Sequence, residues 1–228
     1  MSRGDPTIEA AVILSGGLSQ RMGSEKALLG VGGTTLIERL ALRLFSHCDR
    51  LIISVAARGP SEGLREALRR CEATTEKPIE VVCDFVEGQG PLAGVSTVLD
   101  SLRSRQAFFV AVDMPNVSLE LARALWLLAL EPDALGAVPC WSRGLEPAFA
   151  VYSKALLPAA RGLLQSGTRS LQALASISGV RTLDLSELGA LSSYAGPLPG
   201  NPEELFRSLN TPQELENWQR TWPSGPLK

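Results

Sequence analysis

The chain has 228 residues, 45% of them hydrophobic and 20% charged, with a formal net charge of −2. That balance belongs to a globular protein long enough to hold a core without disulfides or structural metal. It gives no bulk electrostatic reason to bind nucleic acid, no apolar run approaches the ~20 residues of a membrane span, and the single histidine, His47, excludes a histidine-rich metal site.

Residues 10–14 (AAVIL) form a short continuous apolar run that ends at Gly16 and Gly17, the pattern of a buried strand running into a tight loop. Residues 35–45 have helical spacing, with Leu36, Leu40 and Leu44 four apart and a capping-box pair, Thr35 and Glu38, at the start. His47, just past that helix, reads as a histidine interacting with the helix dipole. A second strand is expected at 51–55, a helix at 63–70, and a third strand at 79–83 that ends at Asp84. A glycine-rich turn then opens a helix over 91–102, and a fourth strand over 107–112 ends at Asp113. Ser118 caps a helix reaching about residue 130. These repeated strand–helix–strand units predict an α/β fold with a mostly parallel sheet covered on both faces.

The second half is less regular. Strands are expected at 135–138, 147–152 and 180–185, helices at 155–164 and 170–177, a loop over 186–201, and a last short strand at 206–209. Thr211, Pro212 and Glu214 carry a capping box with proline at the first helical position, followed by a final helix and a frayed tail after residue 222. No repeat or linker divides the chain, so residues 1–228 read as one domain, with halves at about 8–115 and 116–220. Cys48, Cys71, Cys83 and Cys140 form no CxxC pair and read as buried, reduced thiols. With a polar N-terminus lacking a secretory pattern, they point to the cytoplasm.

Chemistry concentrates in residues 14–26 (LSGGLSQRMGSEK), the loop after the first strand. Its glycines let backbone N–H groups approach an anion, Arg21 can grip phosphate oxygens in a bidentate manner, and Lys26 can place a point charge on another phosphate. The spacing is neither Walker A nor GxGxxG. In open α/β sheets such a loop lies where ligands bind, at the carboxyl ends of strands. Asp84 and Asp113, each following an apolar strand, should lie along the same rim, and Mg²⁺ commonly takes one or two carboxylates plus substrate phosphates.

These motifs, in this order, resemble the LAGGxxxRMGxxK signature of molybdenum cofactor guanylyltransferases, the MobA-type nucleotidyltransferases with a GT-A-like fold. The likeness continues through Gly90-Pro91-Leu92-Ala93-Gly94, Asp113-Met114-Pro115 and Asn210-Thr211-Pro212-Gln213-Glu214-Leu215, and covers about residues 8–220. It implies that Leu14, Ser15, Gly16, Gly17, Lys26, Asp84, Gly90 and Asp113 contact the nucleotide, and that Asp113 binds Mg²⁺. Arg21, Lys26 and Asp113 become the catalytic set, with GTP and molybdenum-bearing molybdopterin as substrates. Neither nucleic acid nor membrane enters that scheme, whereas contacts with other molybdenum cofactor biosynthesis proteins do. Arg169 is either an acceptor-phosphate contact or an exposed helix-start arginine. Asn210 either bonds the acceptor or nucleotide or serves the helix start, and residues 90–94 either cradle the nucleotide or open a tightly packed helix. Glu146 precedes a proline near the presumed pterin side. Ser54 stands where some members carry asparagine, which bears on base specificity. The alternatives are a relative using another base or acceptor, such as cytidylyl or sugar-phosphate transfer, and a nucleotide-binding paralogue without catalysis.

Overall fold

The computed structural model describes residues 7–16, 25–85, 88–186 and 201–221. In chain order the elements are β1 (Ile8–Leu14), β2 (Gly30–Val31), β3 (Thr34–Thr35), α1 (Leu36–Phe45), β4 (Cys48–Val55), α2 (Glu62–Thr75), β5 (Ile79–Cys83), α3 (Pro91–Ser101), β6 (Gln106–Ala111) and α4 (Leu119–Leu128). The second half adds β7 (Gly136–Trp141), β8 (Gly144–Leu145), β9 (Phe149–Ser153), α5 (Leu157–Gln165), α6 (Leu171–Ala175), β10 (Val180–Asp184), α7 (Pro202–Leu205) and α8 (Pro212–Thr221).

The main sheet has the order β10-β7-β9-β6-β1-β4-β5, with β8 paired to β7. β1 pairs in parallel with both β4 and β6, β4 with β5, and β10 with β7, whereas β9 runs antiparallel to β6 and β7. The sheet is mostly parallel, as expected, and β9 is the reversal that joins the two halves. The chain moves outward from β1 through β4 to β5 and then returns to the other side of β1 as β6. The switch point thus falls between β1 and β6, where a crevice opens at the carboxyl ends.

Strand period decides which residues face which layer. In β1, Ala11 and Ile13 join the core beneath α1, α2 and α4, while Ala10, Val12 and Leu14 join the core beneath α3, α5 and α6. In β4, Leu51, Ile53 and Val55 face the first layer, and Ile52 faces α3. The same alternation carries Ser54 and Asp84 to the α3 side. Phe108 and Phe149, in edge contact at 4.9 Å, seal the core where β9 reverses against β6.

Local signals explain the helix starts. Thr35 caps α1 with the expected reciprocal box, since Thr35 N–H donates to Glu38 Oε2 at 2.8 Å and Glu38 N–H donates back to Thr35 Oγ1 at 3.4 Å. Ser118 caps α4, and its hydroxyl accepts from Leu121 N–H at 3.1 Å. α2 runs further than expected, to Thr75, where Glu76 takes a left-handed conformation (φ 56°) and ends it.

Four expectations need correction. Residues 206–209 form no strand: Phe206 stacks on Trp141 and Phe149, and Leu209 is buried, so their apolar character reflects packing rather than a ladder. Asn201 belongs to a helix start rather than a loop, its side chain accepting from Glu203 N–H at 3.0 Å, while residues 187–200 and the tail after 221 lie outside the described residues. All four cysteines are free thiols, but Cys83 is exposed and Cys140 half-buried. Burial pushes Cys48 and Cys71 up to about 12. His47 is held below its ordinary pKa, first by burial and then by Arg123, the opposite direction from the rise that interaction with the helix dipole would give. No helix among the described residues is long and apolar enough to cross a membrane.

Candidate active site

A cleft of about 770 Å³ opens at the carboxyl ends of β1, β4, β5 and β6 and is lined by Leu14, Gly16, Lys26, Asp84, Gly90 and Asp113 among others. Six sequence-predicted residues thus meet in one cavity. Gly17 and Arg21 lie outside the described residues.

Lys26 enters from a short 3-10 turn, Lys26–Leu28, whose Ala27 is buried. The turn is anchored from behind, where Ser61 Oγ, itself the cap of α2, donates to Glu25 Oε2 at 2.5 Å. Lys26 Nζ donates to Asp113 Oδ2 at 2.7 Å and to Asn210 Oδ1 at 2.6 Å, and the Lys26 and Asp113 side chains are each only 17% exposed. This triangle joins residues 87 and 184 positions apart in the chain. The C-terminal segment is tied down on both sides of Asn210. Leu209 N–H donates to the Asp113 carbonyl at 2.9 Å, and Asn210 and Thr211 N–H donate to Glu214 Oε2 at 2.7 and 2.9 Å. The capping box of α8 therefore orients the asparagine, so its structural and functional readings combine in one residue. α8 is pinned in turn by Trp218, whose Nε1 donates to Asn116 Oδ1 at 3.0 Å and whose ring lies under the Arg39 guanidinium.

Asp84 forms the other end of the cleft. Its Oδ1 is buried without a hydrogen-bond partner, and burial raises its pKa from 3.8 to about 6, opposed by the nearby Ser54 hydroxyl. The carboxylate lies against two glycines: a Cβ at Gly16 would meet Asp84 Oδ2 at 3.5 Å, and one at Gly94 would meet Ser54 Oγ at 2.8 Å. Gly94 is thus required for α3 to approach β4. Gly90, at φ 73°, takes a backbone conformation that favours glycine. Arg169 sits beside that turn and donates from Nη1 to the Gly88 carbonyl at 2.7 Å, which places it at the end of the cleft lined by Gly88 and Gly90. Ser15 N–H is committed to the Ser54 carbonyl at 2.8 Å, so this amide holds the loop to β4.

The sequence reading undervalued two cleft residues, Ser54 and Glu146. Ser54 is only 1% exposed and wedged between Gly94 and Asp84. Glu146 also lines the cavity, and burial raises its carboxyl, with the Ala148 N–H opposing the shift and the Asp113 charge adding to it. The period-two pattern of β4 is the signal that could have found Ser54.

The donor set suits a hard divalent cation. Asp113 supplies carboxylate oxygen at the cleft, and no group of three or more His, Cys, Asp or Glu side chains that could hold a metal occurs among the described residues. A Gly-bearing loop, a cation and a strand-end carboxylate at the switch point define a nucleotide-handling α/β transferase.

The chain belongs to the MobA-like NTP transferase family, whose domain model matches residues 11–181. It is therefore a nucleotidyltransferase. A probable molybdenum cofactor guanylyltransferase of Methanosarcina mazei is 34% identical over 92% of this chain and 90% of its own. A molybdenum cofactor guanylyltransferase of Syntrophotalea carbinolica is 30% identical over 94% of this chain and 92% of its own. The crystal structure of molybdopterin-guanine dinucleotide biosynthesis protein A from Archaeoglobus fulgidus shares the fold, with a TM-score of 0.70 at 19% identity, covering 92% of this chain and 97% of that one.

Proposed function

We propose that the chain transfers GMP from GTP to molybdenum-bearing molybdopterin, forming molybdopterin guanine dinucleotide and releasing pyrophosphate. The observation that carries this reading is the convergence of Lys26, Asp113 and Asn210 at the switch point, in a cleft whose opposite end is the half-buried Asp84. Guanylyltransferase relatives matching over nine-tenths of the chain support the choice of nucleotide and acceptor.

A terminal phosphate oxygen of the acceptor attacks the α-phosphorus of GTP. The bond between that phosphorus and the α–β bridging oxygen breaks, and the electron pair leaves with pyrophosphate. The attacking oxygen is already anionic, so no general base is needed, and the small histidine inventory costs the reaction nothing. The work left to the protein is positioning and charge stabilisation. Lys26 exchanges its pairing with Asp113 for the phosphates, and Arg21 adds a second cation there. Asp84 and the Gly88–Gly90 turn hold the nucleoside end, and Arg169 acts by holding that turn. Asn210 keeps Lys26 aimed while the acceptor enters from the second half. Asp113 would hold Mg²⁺, which offsets phosphate charge when bound.

The experiment supplies purified protein with Mg²⁺ and each of GTP, CTP and UTP, with and without molybdenum-bearing molybdopterin. Pyrophosphate release that requires both GTP and the pterin is expected. Asp113→Asn should lower turnover by about a hundredfold or more. Turnover with CTP in preference to GTP, or none with the pterin present, overturns the reading.

A further inference from the structure

Glu146 lies in the connection between β8 and β9, on the wall of the cleft built by the second half of the chain. Its backbone surroundings are pinned. Glu146 N–H donates to the Pro139 carbonyl at 2.9 Å, Phe149 N–H donates to the Glu146 carbonyl at 3.2 Å, and Ala111 N–H donates to the Ala148 carbonyl at 3.0 Å. The Tyr152 hydroxyl donates to the Pro147 carbonyl at 2.8 Å. A rigid turn therefore presents this carboxylate to the cleft.

No cation among the described residues pairs with Glu146, and Lys26, the one cation among the described residues lining the cavity, is engaged by Asp113 and Asn210. A half-buried carboxylate without a cation is costly unless N–H donors or a metal complete it, and the Ala148 N–H supplies one such donor, leaving acceptor capacity for a ligand. Position separates those partners. In the strand order β5-β4-β1-β6-β9, Asp84 and Asp113 follow strands three positions apart, a span of roughly 14 Å at the usual strand spacing. A nucleotide reaching from Asp84 to Asp113 fills that side. Glu146 precedes the next strand beyond, past Asp113 from Asp84 and on the second-half wall of the cleft, the side from which an acceptor would approach.

We propose that Glu146 is the acceptor-reading residue of this site, its carboxylate accepting N–H donors of the pterin ring system. The match is chemical: a reduced pterin carries a 2-amino group and several ring N–H groups, all donors, and an ionised carboxylate offers acceptors only. This assignment rests on the acceptor proposed above.

The test uses full-length Glu146→Gln and Glu146→Ala, two variants so that one reports if the other folds poorly. Binding of molybdenum-bearing molybdopterin is measured by calorimetry without nucleotide, and binding of GTP with Mg²⁺ is measured without acceptor. The expected result is acceptor affinity weakened by about tenfold or more, with GTP affinity and Mg²⁺ dependence within about twofold of the wild type. Unchanged acceptor affinity in a folded variant overturns the role of Glu146 while leaving the proposed reaction standing. A shifted Mg²⁺ dependence also overturns it, because the residue would then serve the metal. Wild-type protein that binds GTP but not molybdopterin overturns the proposed acceptor itself.

Discussion

Replacing Asp84 by asparagine separates the stability of the cleft from its function. In the folded chain burial holds this carboxyl at about 6 against an ordinary 3.8. Between those values the folded state binds more protons than the unfolded state, so wild-type stability falls as pH rises from about 4 to about 7. The full shift would correspond to roughly 3 kcal/mol at about 1.4 kcal/mol per pH unit, and solvent in the open cleft reduces this to about 1–2 kcal/mol. Asparagine has no such titration. The variant should therefore gain stability relative to wild type as pH rises, nearly all of it below pH 7. Urea unfolding of both proteins at pH 4.5, 6 and 8 measures the difference, with GTP binding at pH 8 as the functional readout. Asp84→Asn should be the more stable at pH 8 and the weaker GTP binder. A stability difference that is flat with pH, or that moves the other way, refutes the claim that a buried, uncompensated charge sits there.

Other substitutions probe the supports of the site. Gly94→Ala puts a methyl 2.8 Å from Ser54 Oγ, so α3 must move off β4. A loss of about 1–3 kcal/mol is expected, with weaker GTP binding, and Gly94→Ala combined with Ser54→Ala should recover part of the stability. Trp218→Phe keeps the ring and removes the donor to Asn116 Oδ1, and urea denaturation should show a loss of about 1–2 kcal/mol. Thr35→Ala removes the side-chain arm of the α1 capping box, the acceptor for the Glu38 N–H, while its own N–H still donates to Glu38, and should cost about 1 kcal/mol in thermal or chemical denaturation. Asn210→Ala frees Lys26 from one of its two partners and should raise KM for GTP while leaving the unfolding free energy within about 0.5 kcal/mol of wild type, measured by urea denaturation.

Sequence by itself determined the principal strands of the first half, most helix starts and the candidate phosphate-handling groups. The reason is local. β1, β4 and β6 are read from apolar runs because a strand buried on both faces has no polar alternation, and Thr35, Ser118 and Thr211 are read as caps because the cap is made within three residues. Asp84 and Asp113 are legible for the same reason, since each ends such a run. Tertiary structure alone decided what those residues do to one another. The reversal of β9, invisible to a period-two pattern that is the same in either direction, places Glu146 beside the cleft. The contact of Lys26 with Asn210, 184 residues apart, exists because buried Trp218 and Leu209 pull the C-terminal segment across the Asp113 turn. Arg169, in the sequence either an acceptor-phosphate contact or an exposed helix-start arginine, donates to the Gly88 carbonyl, 81 residues away, once the chain folds. Burial is likewise a property of the packed whole. The same aspartate that is ordinary in the unfolded chain is held near 6 when α3 closes over it at Gly94.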